Sequence, residues 1–129
     1  MRLSCEPTSS IVGFALASWL LASPAHANDL KIKAFLAQTY TDKGNLGMLG
    51  WTVYNMDTVN AYLDVRLHRP PIFCRPESLT ITSEDARTIL SKYLDKHPDR
   101  AEDTMDIYSA DMLDALIENF PCDETGKPR

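Results

Sequence analysis

Apolar positions recur at helical spacing in four stretches of this chain, with turn residues between them. In Asp29–Tyr40 (DLKIKAFLAQTY), Leu30, Ala34 and Ala37 fall at i, i+4, i+7 with Phe35 beside them. Asn28-Asp29 supplies side chains suited to cap such a helix. Thr41–Asn45 reads as a turn, with Gly44 free to take positive φ. Leu46–Leu67 is the longest pattern: Leu49, Val53/Tyr54, Met56, Val59/Asn60 and Leu63 recur near helical spacing without a proline. Its β-branched and aromatic content suits a strand as well, but its length favours a helix. Being apolar over more than one stripe, it is expected at the centre of the fold. Gly47 and Gly50 would let a neighbouring helix approach closely. Asn55 and Asp57 interrupt the pattern, either as solvated residues or as a buried polar pair.

Pro70-Pro71 ends that helix, and Ile72–Leu79 follows extended, with Phe73 and Leu79 as apolar anchors. Thr82 and Asp85 form a variant capping box ahead of Ser83–Lys96, where Ala86, Ile89, Leu90, Tyr93 and Leu94 share one face. His97-Pro98 closes it. Asp99–Asp106 is polar and acidic and reads as a loop. Helical spacing resumes over Met105–Asn119, through Ile107, Ala110, Leu113, Leu116/Ile117 and Phe120, until Pro121. The pattern predicts an all-α bundle of about four helices over residues 28–122 and a disordered tail over 123–129.

The first residues change the picture of compartment. Arg2 precedes an apolar run, Ile11–Ala22, and Ala25-His26-Ala27 has the small-residue spacing of a signal-peptidase site. The expectation is a signal peptide over 1–27, cleaved after Ala27, and a periplasmic chain. The run falls short of the roughly 20 residues that span a bilayer, which weighs against the alternative of a retained anchor. Cleavage would remove Cys5 and leave Cys74 and Cys122, an even pair in an oxidising compartment, which reads as a disulfide. Closing a loop of that size contributes about 4 kcal/mol in the chain-entropy picture. A reactive thiol or a metal ligand is the alternative, and Cys74 with His97 could form a thiol–imidazole pair.

Charge and motif content narrow the function. Net charge is −5, and the cleaved segment takes one charge of each sign with it. That balance argues against nucleic acid and against anionic lipid as partners. Glycines 44, 47 and 50 are not spaced as a phosphate loop, and His68 and His97, the two histidines of the expected mature chain, make no metal motif. No metal or cofactor is expected, and no catalytic residue. The many carboxylates single out no acid–base pair; they read as a solvated face, or as a negative loop over Asp99–Asp106 that steers a basic partner.

Phe73-Cys74-x-Pro76, Lys92-Tyr93-Leu94-x-x-His97-Pro98 and Ala115-Leu116-x-x-x-Phe120-Pro121-Cys122 together resemble the pattern of the Rap/Tai immunity proteins. Those are periplasmic proteins that neutralise peptidoglycan amidase effectors of type VI secretion. Gly50-Trp51 and Asp57 are also similar to that family's second helix, so the resemblance covers about residues 46–122. It implies an all-helical, disulfide-bonded, exported inhibitor rather than an enzyme, with an effector amidase as partner and a homodimer as its assembly. The family's inhibitory loop does not map onto this chain residue by residue. Asp99–Asp106 is the preferred candidate, with Asp99, Glu102, Asp103 and Asp106 as its partner-binding side chains, and Thr41–Asn45 the second choice. A function of another class, a periplasmic stress or chaperone-like protein, would draw on the same carboxylates, whose protonation in acid would loosen a dimer or expose apolar surface; protection of client proteins from aggregation at acid pH distinguishes it.

Overall fold

The computed structural model describes residues 29–129. The signal-peptide expectation, the cleavage site and Cys5 lie outside them. Four helices follow in order: α1 (Ile32–Gln38), α2 (Lys43–Leu67), α3 (Ser83–Lys96) and α4 (Tyr108–Asn119), with a 3-10 turn at Arg100–Glu102 before α4. There is no named strand among the described residues, so the fold is a small all-α bundle. None of the described helices is long and apolar enough to cross a membrane.

Its core comes from every helix. Ile32 and Phe35 of α1, Leu49 and Val53 of α2, Leu90 of α3, and Met112 and Leu116 of α4 are buried around Phe73 from the extended linker. Phe35 meets Tyr108 edge-on, with ring centroids 5.5 Å apart. The largest helix–helix contact is α2 on α3. Gly50 allows that approach: a Cβ there would lie 2.3 Å from the Ser83 hydroxyl, whereas one on Gly47 would meet nothing within 4 Å.

The capping box occurs as expected. Thr82 Oγ1 accepts from the Asp85 amide at 3.1 Å, and the Asp85 carboxylate accepts from the Thr82 amide at 2.9 Å. The Thr82 amide, and the Thr82 hydroxyl that also donates to the carboxylate at 2.8 Å, hold the Asp85 carboxyl below its ordinary pKa. Other boundaries move. α1 begins three residues after Asp29, because Ile32 N donates to Asp103 O at 2.9 Å and Met105 N to Leu30 O at 3.1 Å. Leu30 and Lys31 are thus tied to the loop rather than wound into helix. The turn expected at Thr41–Asn45 is mostly helix: Asp42 caps α2 by accepting from Gly44 N and Asn45 N, so Gly44 is helical. α2 ends on His68, at φ 49 and ψ 42, a left-handed conformation usually left to Gly or Asn.

α4 starts at Tyr108, and its inward face is Tyr108, Asp111, Met112, Ala115 and Leu116. The expected stripe is rotated by about one position. Ile107, Ala110 and Ile117 turn outward while Leu113 and Phe120 are only partly covered. In the tail 123–129 the Asp123 carboxylate accepts from Thr125 N and Lys127 N, and Arg129 N donates to Pro121 O.

Candidate functional site

Cys74 and Cys122 are joined as a disulfide, with their Cα atoms 4.9 Å apart. A thiol–imidazole pair with His97 is therefore not available. His97 Nε2 lies 3.0 Å from Glu118 instead, and Lys96 also bonds Glu118, which lowers the Glu118 pKa. The disulfide sits where the linker returns to the end of α4, and Cys74 N donates to Phe120 O there at 2.8 Å. Asn60 clamps the same linker from α2: its amide nitrogen donates to Phe73 O and its oxygen accepts from Ile72 N, both at 2.6 Å. Asp57 pairs with Arg75 at 3.2 Å. Asp57 is thus engaged in tertiary structure, while exposed Asn55 bonds only the Trp51 carbonyl one turn back.

The loop at 99–106 is held at several points. Glu102 pairs with Lys33 at 2.5 Å, and that hydrogen bond depresses its pKa. Asp103 accepts from Arg100 at 3.3 Å and raises the Arg100 pKa. Asp106 accepts from the Thr104 hydroxyl. Of the four candidate partner-binding side chains, Asp99 alone makes no ion pair or side-chain hydrogen bond with the described residues. The acids are brought onto one segment, but three are committed within the molecule, so charge available for a partner is less than composition suggests.

Behind the loop sits a group that sequence reasoning placed on the solvated face. Asp111 is 1% exposed, and neither carboxylate oxygen has a hydrogen-bond partner. Its nearest cation is Arg100, whose Nε lies 3.8 Å away. Burial pushes the Asp111 pKa up, the negative charge of Asp103 adds to the rise, and Arg100 opposes it. Burial likewise raises the nearby Tyr108 hydroxyl to about 12.

An exposed apolar surface lies elsewhere. α2 packs inward through Leu49 and Val53, yet its opposite face carries Trp51, Tyr54, Val59, Tyr62 and Val65, each more than half exposed. α2 is apolar over more than one stripe, as its sequence pattern indicates, but α3 and α4 cover only one side of it. Trp51 and Tyr54 stack on each other with centroids 5.7 Å apart. Beside them runs an apolar groove of about 440 Å3 between Trp51, Met56 and Val59 of α2, Ile72, and Leu113 of α4. From Gly44 to Met56 the sequence carries no charge, a signal that a solvent-facing helix surface does not need.

Among the described residues no cluster of His, Cys, Asp and Glu could hold a metal. In comparison with known proteins, no family model matches the chain, and no match is found among curated proteins or solved structures.

Proposed function

We propose that this chain is a periplasmic immunity protein that binds and inhibits a peptidoglycan amidase effector of type VI secretion. The reading rests on the resemblance across residues 46–122 and on one structural observation, the anchoring of the loop at 99–106. Backbone bonds tie that loop to Leu30 and Ile32, and Lys33 and Arg100 hold its acids. A loop already fixed loses little conformational entropy when it enters a cleft, which is what a stoichiometric plug requires. The disulfide supports the same reading, since it suits an oxidising compartment and ties the extended linker to the end of α4.

Docking by this loop would rest on shape and backbone groups more than on charge, given that Glu102, Asp103 and Asp106 are already engaged. The test is expression in the periplasm of a small Cys/His hydrolase encoded beside this chain, with and without it. Lysis that this chain prevents, together with a one-to-one complex of the two proteins, is the expected result. Equal lysis in both cultures rejects the reading.

A further inference from the structure

We propose that Asp111 and Arg100 form a proton-operated switch: when Asp111 ionises, Arg100 leaves Asp103 for Asp111 and frees the Asp103 carboxylate on the loop at 99–106. Its use at a docking loop rests on the inhibitor reading; the exchange itself is a property of the isolated chain.

One cation stands between two carboxylates. Arg100 Nη1 donates to Asp103 Oδ2 at 3.3 Å, while Arg100 Nε lies 3.8 Å from Asp111 Oδ1. The first distance is a long hydrogen bond and the second is too long for one. A movement of about 1 Å toward Asp111 closes the second contact and opens the first. The two acids differ in their surroundings. The Asp103 side chain is 29% exposed and that of Asp111 1%. Water can solvate Asp103 after Arg100 has left it. Asp111 is shut off from water, and neither of its oxygens has a hydrogen-bond partner among the described residues. An ionised Asp111 has the greater claim on the guanidinium, because charges attract more strongly where water is scarce and an unpaired buried charge is costly. A neutral Asp111 has little claim, and Arg100 stays with Asp103.

The charges around Asp111 set the direction of the switch. Burial and the negative charge of Asp103 hinder its ionisation most, and Asp114 of α4 and Asp99 of the loop add to them; Arg100 opposes. Tyr93 of α3 borders the same cluster, and burial raises its pKa, so it stays neutral. Tyr108 of α4 stays neutral for the same reason. Lys33 of α1 is held by Glu102, and the inward stretch of α2 around Leu49 and Val53 carries no charge. Asp111 thus releases its proton above the ordinary carboxyl value of about 3.9. Below that release Arg100 sits on Asp103; above it Arg100 sits on Asp111 and the loop presents one more bare carboxylate. The backbone bonds from Ile32 N to Asp103 O and from Asp103 N to Arg100 O hold the loop in place, so the exchange is one of side chains.

The test is a nuclear magnetic resonance titration of the isotope-labelled chain from about pH 3 to about pH 7, following the Asp103 and Asp111 carboxyl carbons and the Arg100 Nε–H. The Asp111 carbon and the Arg100 Nε–H should shift with one shared midpoint, above that of an ordinary carboxyl. Asp111→Asn should abolish that step at Arg100. Coupling between two sites is reciprocal: Asp103→Asn leaves Arg100 without a rival and should lower the proton affinity of Asp111 at least about fivefold. Asp103 is partly exposed, so this second variant decides the matter should Asp111→Asn misfold. An Asp111 midpoint in the ordinary range overturns the proposal. So does an Arg100 signal indifferent to Asp111, or an Asp111 midpoint unchanged in Asp103→Asn. An amidase left unblocked by this chain would reject the inhibitor reading and leave these signals as they are, which separates the two.

Discussion

Asp111 carries the only carboxyl group buried among the described residues, and its position is unfavourable for charge. Its folded pKa is raised by burial, so between its unfolded value of about 3.9 and that raised value the native state holds more protons than the unfolded one. Stability therefore falls as pH rises through that window, and the loss persists at neutral pH. Asp111→Asn removes the ionised form while keeping the shape. The variant should be more stable than wild type at pH 7, by about 1–2 kcal/mol, and the advantage should close below pH about 4. Thermal unfolding of both proteins across that range checks it. An unchanged or lower midpoint at pH 7 would mean that Arg100, at 3.8 Å, already compensates the buried charge. Sequence reading missed this residue because Asp111 sits among other acids, and only the rotation of α4 shows that it alone turns inward.

At the scale of elements, local sequence was most reliable where caps and periodicity agree. α3 spans Ser83–Lys96 as expected, because the Thr82–Asp85 box marks its start and five apolar residues mark its buried face. Thr82→Ala should cost about 1 kcal/mol, since it leaves the Asp85 amide without its acceptor. Denaturant unfolding should show a lower midpoint with unchanged slope, and an unaltered midpoint would show the cap to be dispensable. The lowered Asp85 pKa has the opposite sign to that of Asp111: its contribution is present above the unfolded value and is lost as pH falls through the folded one. Helices α1 and α4 were less legible. α1 starts late because long-range backbone bonds to Asp103 and Met105 hold its first residues extended. In α4, apolar Ile107 and Ile117 suggested a face that packing does not use.

For the whole molecule, the disulfide and the Asn60 clamp act on the same linker from two sides. Replacing both cysteines by alanine should lower unfolding free energy by about 4 kcal/mol, for the loop the bond closes in the unfolded chain. Urea unfolding of the double variant measures it. A change under about 1 kcal/mol would mean that Asn60 and the Cys74–Phe120 backbone bond suffice to hold the linker. The expected mature domain is small enough that a staple of this size would be a large share of its total stability.

What the sequence determined by itself is the helical class, the cysteine pairing, the exact span of α3 and the weight of negative charge. Each follows from local spacing or from counting, and none of the four needs a knowledge of neighbours. The tertiary structure decided which side of each helix faces inward. α2 is apolar on two sides, and no one-dimensional pattern says which of them α3 and α4 will cover. That choice buried Leu49 and Val53 and left Trp51, Tyr62 and Val65 in solvent. The tertiary fold also brought Glu102 to Lys33, far away in the chain, whereas Asp103 and Asp106 bond within their own loop. Pairing between residues far apart in the chain depends on how the helices pack, and packing is a property of the assembled core rather than of any single stretch.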